Sequence, residues 1–429
     1  MKIDNPSRLG ALEAAKLIAA GHLTSEVLVR SCLEQIEARD REVGAWISLE
    51  ADRAIAEAKM RDSEPARSPL HGIPFGVKDI IDAEGYRTGM GSPIYDDSAP
   101  LLHDAACVAL AKDAGMVALG KTVTTEFALR TAGKTRNPHR LTHSPGGSSS
   151  GSAAAVADFQ VPLAIGTQTG GSVVRPASYC GVVGFKPTFG RIPRAGVKSV
   201  SESLDTVGVM ARNVQDAAAF SAILEGTVVA ELSCSHERPR FAFAKTPAWD
   251  SLSPAAQKVG RDVVEHARAA GASVVEIDLP PIFRDALEAQ SSIQTYEATR
   301  SLAFELRRRP DQVSKALKDY VYSGSAMKRS TYDEARNIQA SCRAALWPLL
   351  NDFGALLTPA APGEAPANPS DTGSPIANAI WTMTGAPVVG VPGLLGSTGL
   401  PVGIQVIGPS GRAAATLSHA LWLSEVLGK

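Results

Sequence analysis

Two glycine- and serine-rich runs contain the side chains of this sequence that are best suited to nucleophilic chemistry. The first is PGGSSSGS at residues 145–152, and the second is GTQTGGSVVRP at residues 166–176. In the second run Ser172 follows two glycines, so successive backbone N–H groups could converge on one point at the start of a helix. Such a site stabilises an oxyanion. The alternatives are a flexible linker for the first run and an ordinary strand-to-helix turn for the second.

A serine nucleophile needs a base that takes its proton, and Lys78 is one candidate. It ends the apolar run IPFGVK at residues 73–78. Burial there would disfavour the ammonium form and lower the pKa of the amine. The alternative is a surface lysine paired with Asp79. Histidine is the more usual base, but none of the eight histidines has a characteristic spacing, and those nearest the two runs are interpreted as structural: His71, His103, His139 and His143.

The segments that carry these side chains alternate between helical and strand-like patterns. Apolar residues at helical spacing predict a helix over residues 24–37, with Thr24 or Ser25 at its N-cap. The other predicted elements are strands at residues 73–78, 116–119 and 161–165, a helix capped by Asp104 that runs to residue 114, and an alanine-rich helix after residue 152. This alternation favours an α/β fold with a large mixed, mainly parallel sheet that is covered by helices on both faces.

Two further runs resemble a phosphate-binding loop and a membrane-spanning segment, but other features of the sequence argue against both. GMVALGKT at residues 115–122 matches the pattern of a phosphate-binding loop, but its middle residues are apolar like a buried strand, so the match is interpreted as accidental. Residues 372–411 contain no charged residue and are long enough to cross a bilayer, but prolines interrupt them. Residues 388–391 and 402–407 are instead predicted as central strands, and no membrane association is expected.

Length and composition narrow the class of protein. The chain has 429 residues, of which 44% are hydrophobic and 20% charged, with a net charge of −1. These values exclude a largely disordered chain and leave no basic field for nucleic acid. The first residues lack the apolar core of a secretory signal, so a cytoplasmic location is expected. Five separated cysteines without a CxxC pair predict reduced, mostly buried thiols and no metal site: Cys32, Cys107, Cys180, Cys234 and Cys342.

Taken together, the motifs resemble those of the amidase signature family. The main ones, in chain order, are GVKD at residues 76–79, PGGSSSGSAA at 145–154 and GTQTGGS at 166–172. Similar patterns occur at residues 120–128, 180–188, 385–387 and 399–405. The resemblance covers most of the chain and implies a single domain of residues 1–429. It is weakest at residues 227–343, a variable and mostly helical region that is expected to shape the substrate pocket.

The resemblance implies the amidase signature fold and a Ser-cisSer-Lys triad. Lys78 would be the base, Ser148 the bridging serine after a cis peptide bond, and Ser172 the nucleophile. The oxyanion hole would be formed by the backbone N–H groups of Thr169, Gly170, Gly171 and Ser172. The implied reaction is hydrolysis of linear carbon–nitrogen amide bonds through an acyl-enzyme, with esters, anilides or carbamates as further substrates. It needs no metal and no organic cofactor.

Two departures from the family pattern concern the substrate. Many members carry aspartate where this chain has Gln168, and arginine where it has Val174, which Arg175 follows. The run is similar to the malonamidase branch, in which the corresponding arginine holds a substrate carboxylate. Arg175 is therefore predicted to bind an acidic or strongly polar acyl group, with Thr167 and Gly147 as further substrate-binding residues. An internal ion pair of Arg175 with a carboxylate is the alternative.

The expected partner is a small amide, ester or carbamate, and a homodimer stays open. Two other functions also stay open. One is a component of an amidotransferase that amidates misacylated tRNA together with companion subunits, and the other is a non-catalytic binding protein. The near-zero net charge and Gln168 argue against the amidotransferase, while the filled triad positions argue against the binding protein.

Overall fold

An 11-stranded β-sheet forms the centre of the computed structural model, which describes residues 3–233 and 238–428. The strands are β1 (Trp46–Leu49), β2 (Pro74–Lys78), β3 (Val117–Thr122), β4 (Leu163–Gln168), β5 (Val183–Lys186), β6 (Thr206–Ala211), β7 (Arg240–Lys245), β8 (Ser273–Asp278), β9 (Ala355–Pro359), β10 (Val388–Leu395) and β11 (Pro401–Ile407). They lie in the order β1-β3-β2-β4-β6-β5-β10-β11-β9-β7-β8. Every residue of β2, β3, β4 and β6 is buried. Because successive side chains of a strand point to opposite faces, both faces of this part of the sheet are covered.

Helices form most of the connections between the strands. They are α1 (Ala11–Ala19), α2 (Ser25–Val43), α3 (Ala51–Asp62), α4 (Ala106–Asp113), α5 (Ser150–Ala157), α6 (Val174–Cys180), α7 (Val214–Leu224), α8 (Pro254–Ala269), α9 (Ala286–Ser301), α10 (Ala303–Arg308), α11 (Lys315–Ser325), α12 (Arg329–Phe353), α13 (Ala379–Thr384) and α14 (Ala413–Val426). The predicted α/β class, with a large mixed sheet and a helical cover, is confirmed.

The directions of the strands differ from the prediction of a mainly parallel sheet. β2 is parallel to β3 and to β4, and β7 is parallel to β8 and to β9. The other six pairings are antiparallel. β10 and β11, for example, follow one another through a short turn in which Gly396 N donates to Leu400 O at 2.9 Å. A hairpin of this kind reverses the chain without a crossover helix, so the neighbouring strand runs antiparallel.

Of the two N-caps that the sequence predicts, one is confirmed and the other is wrong. α2 begins at Ser25, and Thr24 Oγ1 accepts a hydrogen bond from Val27 N at 3.1 Å, as the sequence predicts for an N-cap. The prediction that Asp104 caps α4 is wrong. This helix begins at Ala106, so its N-cap is Ala105 and not Asp104. The Asp104 carboxylate instead accepts hydrogen bonds from Glu84 N and from Lys112 Nζ, each at 2.8 Å.

The runs that could be mistaken for other sites are strands. Residues 117–122 form β3, so the GxxxxGKT match is not a phosphate-binding loop. Residues 388–391 and 402–407 lie in β10 and β11 near the middle of the sheet, as predicted. No helix within the described residues is long and apolar enough to cross a membrane. Four cysteines are free and buried, namely Cys32, Cys107, Cys180 and Cys342, whereas Cys234 lies outside the described residues.

Candidate active site

Lys78 ends β2 in the interior of the sheet, with no part of its side chain exposed. Its Nζ lies 2.8 Å from Ser148 Oγ and 2.7 Å from Thr167 Oγ1. These two hydroxyl groups fix the position of the amine, and one of them belongs to a predicted triad residue. The sequence alternative, a surface lysine paired with Asp79, is wrong. Asp79 forms a buried ion pair with Lys121 instead, at 2.9 Å.

The surroundings of Lys78 favour the neutral amine. Burial holds the pKa of Lys78 well below its ordinary value, because the ammonium ion would lose its hydration. The Asp205 carboxylate opposes this effect on the pKa, and the Arg175 guanidinium adds to it. An amine that is neutral near pH 7 can accept a proton from a neighbouring hydroxyl group.

Ser148 follows a cis peptide bond, between Gly147 and Ser148, as predicted. It lies just before α5, and the whole stretch of residues 144–156 is buried. Gly151 in the first turn of α5 packs directly against backbone, since a Cβ there would lie 2.2 Å from Ala45 O. A flexible linker would not be packed in this way, so the linker alternative for this run is wrong.

Ser172 lies two residues before α6, in the turn that joins β4 to this helix. Together with Thr169, Gly170 and Gly171 it lines a cavity of about 270 Å³. Among the described residues, no acceptor is bound by the backbone N–H groups of Gly170, Gly171 and Ser172. Free backbone N–H groups beside a nucleophile can stabilise an oxyanion.

The shape of this turn is set by Gln168 and Thr382. Gln168 Oε1 accepts hydrogen bonds from the N–H groups of Val173 and Val174 at 2.8 and 3.0 Å, and therefore caps the start of α6. Gln168 Nε2 donates to Thr382 Oγ1 at 2.9 Å, and Thr382 Oγ1 donates to Gly170 O at 2.5 Å. Thr382 of α13 therefore holds the Gly170 carbonyl group, and the N–H groups of Gly170, Gly171 and Ser172 have no acceptor in the described chain.

Arg175 is buried in the first turn of α6 and lines the same cavity. Its Nη2 donates to Gly147 O at 2.6 Å, while its Nε and Nη1 are buried without a partner in the described chain. Burial lowers the pKa of Arg175 to about 10. The alternative of an internal ion pair is not found, since no described carboxylate lies within 4.0 Å of the guanidinium group. A buried cation with unpaired N–H groups is suited to a carboxylate ligand.

Thr167 and Gly147, the two further residues that are predicted to bind substrate, each contact another residue of the site. Thr167 Oγ1 contacts Lys78, and the carbonyl oxygen of Gly147 binds Arg175. Neither residue is among those that line the cavity. The structure thus places Thr167 against Lys78 and Gly147 against Arg175, and their contact with substrate stays a prediction.

Several residues at the site carry no signal in the sequence. The region 227–343 contributes one wall of the cavity, through Leu287, Gln290, Ser291 and Gln294 of α9 and Tyr320 of α11. Arg130 lies at its edge. Asp205 is buried beneath the turn, where it accepts hydrogen bonds from Thr169 Oγ1 at 2.6 Å and from Val200 N at 2.7 Å. These side chains come from distant parts of the chain and follow no readable spacing.

The histidines near the two glycine-rich runs lie away from the cavity. His71 Nε2 is 2.9 Å from Arg61 O, and His139 Nε2 is 2.8 Å from Cys180 O. His103 faces Asp82 at 3.7 Å on the surface, and His143 contacts its neighbour Thr142. These contacts agree with the structural interpretation of the four residues and leave Lys78 as the base nearest Ser148.

The α/β fold, with a buried lysine beside a serine hydroxyl group and a cavity lined by free N–H groups, is typical of enzymes that cleave acyl bonds. A family model described as Amidase matches residues 27–417, and the chain belongs to this amidase signature family. The predicted membership is thus confirmed.

Relatives of several kinds share the whole fold. The glutamyl-tRNA(Gln) amidotransferase A subunit from Oleidesulfovibrio alaskensis is 33% identical over 477 residues, which cover 97% of each chain. A native peptide amidase from Stenotrophomonas maltophilia matches with a TM-score of 0.82 and 29% identity over 98% of this chain and 97% of that one. A protein from a vestigial complex, linked to the origins of an s-triazine catabolic enzyme, matches with a TM-score of 0.88 and 30% identity over 98% of both chains.

Proposed function

We propose that this protein cleaves carbon–nitrogen bonds of small amides through an acyl-enzyme on Ser172. The observation that carries the proposal is the buried Lys78 amine, which lies 2.8 Å from Ser148 Oγ and whose pKa is held well below its ordinary value by burial. Ser172 faces a cavity with unbound backbone N–H groups beside it. A base, a relay hydroxyl group, a nucleophile and an oxyanion site are the parts that acyl transfer requires.

The proposed reaction moves one proton along this chain of groups. Lys78 takes the proton of Ser148, Ser148 takes the proton of Ser172, and Ser172 Oγ forms a bond to the substrate carbonyl carbon. The oxyanion accepts hydrogen bonds from the turn, each worth about 3 kcal/mol in comparable sites. When the carbon–nitrogen bond breaks, Ser148 gives its proton to the leaving amine and regains one from the Lys78 ammonium group, so that Lys78 is neutral again. Water then cleaves the acyl ester by the same sequence of transfers.

Arg175 supports a substrate whose acyl half carries a carboxylate. Its two unpaired N–H groups are buried at the cavity, and pairing them with a substrate carboxylate would satisfy both. A cavity of about 270 Å³ favours a small ligand. Esters, anilides and carbamates of similar shape pass through the same tetrahedral oxyanion and are proposed as further substrates.

A second candidate function is that of an amidotransferase component. It is favoured by the sequence relatives, because glutamyl-tRNA(Gln) amidotransferase A subunits match this chain over nearly its whole length at 31–34% identity. This observation supports the second candidate more strongly than a self-contained amidase. In that case the same triad would release ammonia for a partner protein, and companion chains would be required. A homodimer stays a prediction.

The experiment is a screen of the purified chain, alone, against malonamate-like acids and neutral amides of equal length. We expect hydrolysis that Ser172→Ala abolishes, together with covalent labelling of Ser172 by a fluorophosphonate. Arg175→Gln is expected to lower kcat/KM at least tenfold more for the acids than for the neutral amides. An exposed arginine on α2, Arg41, provides the matched control Arg41→Gln.

The outcomes separate the candidates. If the chain alone is inactive but gains amidase activity with companion subunits, ATP and tRNA, the amidotransferase is correct. If Ser172 is neither labelled nor needed for turnover in either setting, the protein is a binding protein and the catalytic proposal is abandoned. Equal losses for acids and neutral amides in Arg175→Gln would remove the carboxylate assignment while leaving amide cleavage intact.

A further inference from the structure

The cavity in front of Ser172 is lined by two arginines and, among the described residues, by no aspartate or glutamate. Neither Arg130 nor Arg175 has a described carboxylate within 4.0 Å. Burial lowers the pKa of Arg175 and the Arg130 charge adds to this effect, whereas Tyr179 and the Asp371 carboxylate oppose it. Two cations at one small cavity, neither of them in an ion pair, attract a ligand with more than one negative charge. One carboxylate, held by Arg175, leaves the second cation without a partner.

Arg130 differs from Arg175 in its position. Arg175 is 5% exposed, whereas Arg130, which lines the same cavity, is exposed to solvent. The Arg130 guanidinium lies over the ring of Tyr320, 4.4 Å from the ring centroid. Stacking on an aromatic ring limits the orientations of a guanidinium group and leaves its N–H edges free for an anion. Arg130 is therefore held at the opening by α11.

The backbone that carries Arg130 is held in an unusual shape. Phe127 and Ala128 have positive φ angles of 47° and 56°, which residues other than glycine rarely adopt. Hydrogen bonds on both sides maintain the turn: Phe127 N donates to Met90 O at 2.8 Å, and Thr125 Oγ1 donates to Leu129 O at 3.2 Å. Residues 128–130 consequently face the cavity as one wall. Strained backbone that is fixed in this way is frequent at ligand sites.

We infer that Arg130 binds a carboxylate on the amine half of the substrate, so that the preferred substrate is an amide with one carboxylate on each half. The inference rests on the proposed function. In an acyl-enzyme the acyl half stays on Ser172, beside the buried Arg175, while the amine half must leave toward solvent. Arg130 is the exposed arginine of the cavity lining, on the part of it that solvent reaches. The chemical class is thus a short dicarboxylic acid joined by an amide bond to an amino acid.

A series of three amides with the same acyl half tests the inference on the unmodified enzyme. The probes are N-malonylglycine, N-malonylethanolamine and N-malonylethylenediamine, whose amine halves are anionic, neutral and cationic. We expect kcat/KM to fall in this order, mainly through KM. We also expect the preference for N-malonylglycine to shrink when the ionic strength rises from about 0.05 M to about 0.5 M, because Arg130 is exposed and its charge is screened.

Arg130→Gln measures the contribution of the side chain itself. The ratio of kcat/KM for N-malonylglycine to that for N-malonylethanolamine is expected to fall about tenfold in this variant. Arg130→Lys should restore part of the ratio, since it keeps the charge but not the stacked plane. Arg41→Gln, which removes one exposed positive charge on α2, should leave the ratio as it is in the unmodified enzyme.

The results distinguish this inference from the proposed function. If the three amides are cleaved with no preference, or if Arg130→Gln and Arg41→Gln give the same ratio, the inference is wrong and amide cleavage stands. If none of the amides is cleaved, binding of the same three compounds is measured by calorimetry. Tighter binding of N-malonylglycine that is lost in Arg130→Gln then supports the anion site while the catalytic proposal fails, and equal binding overturns both.

Discussion

Lys78 illustrates how burial changes the chemistry of a single side chain. Its amine lies between Ser148 and Thr167, and its pKa is lowered by burial more than the Asp205 carboxylate can compensate. A lysine on the surface would be protonated at pH 7 and could not act as a base. Burial at the end of β2 is therefore what would allow this residue to act as the proposed base.

At the residue scale, Asp205→Asn should move the pH dependence of kcat/KM. Protonation of Lys78 removes the base, so the rate falls as pH drops through the pKa of this amine. Asp205 stabilises the ammonium form, and its neutralisation therefore lowers the pKa of Lys78 further. The acidic limb of the kcat/KM profile is expected to shift to lower pH. Asp52→Asn, at an exposed position on α3, is the control, and an unmoved limb in Asp205→Asn would contradict the assignment.

At the scale of elements, the position of Ser172 depends on how β4, α6 and α13 meet. Gln168 ends β4 and caps α6, and Thr382 of α13 links this side chain to the carbonyl oxygen of Gly170. The three elements thus hold the turn in a shape in which the N–H groups of Gly170, Gly171 and Ser172 have no acceptor in the described chain. An aspartate at position 168, as in many members of the family, is shorter and charged and could not donate to Thr382.

Thr382→Val tests this arrangement with little change of volume. The Gly170 carbonyl group loses its donor and can rotate toward the cavity, so we expect kcat to fall about tenfold with a much smaller change in KM. Thr384→Val is the matched control on the same helix, because Thr384 Oγ1 donates only within α13, to Trp381 O at 2.9 Å. Equal losses of kcat in the two variants would mean that Thr382 affects the helix and not the turn.

At the scale of the whole molecule, the sheet buries three lysines completely: Lys78, Lys121 and Lys186. Lys121 is paired with Asp79. Lys186 ends β5, its Nζ donates to Pro187 O at 2.9 Å, and burial lowers its pKa to about 7. Buried amines of this kind link the stability of the fold to pH, because the unfolded chain returns them to water.

Lys186→Met should change this pH dependence. The pKa of Lys186 is about 7 in the folded protein and near its ordinary value in the unfolded chain. Between these values the unfolded state binds one more proton, so the free energy of unfolding rises with pH by up to about 1.4 kcal/mol per unit. Below about pH 7 both states are protonated and this contribution is constant. Denaturant unfolding from pH 7 to 10 should therefore give a smaller slope in Lys186→Met, and an identical slope would contradict a lowered pKa.

The sequence alone predicted the fold class, the family and several elements correctly, because these depend on local patterns. Thr24 caps α2, and the apolar runs at residues 388–391 and 402–407 are central strands. The motifs also identified Lys78, Ser148 and Ser172 as the residues to place together, and the structure brings the first two within 2.8 Å.

The tertiary structure decided what no spacing could indicate. The prediction of a mainly parallel sheet was wrong, because strand directions depend on which strands pair, and many of the pairing strands are distant in the sequence. Asp104, Thr167 and Gly147 form hydrogen bonds with groups that are distant in the sequence, so their contacts could not be predicted from local patterns. The charge of the cavity arises because the turn that carries Arg130 and the helix α6 that carries Arg175 meet at one opening beneath α9 and α11. Local sequence encodes the candidate catalytic groups, whereas long-range packing determines their burial, and with it the pKa of Lys78 and the residues that line the cavity.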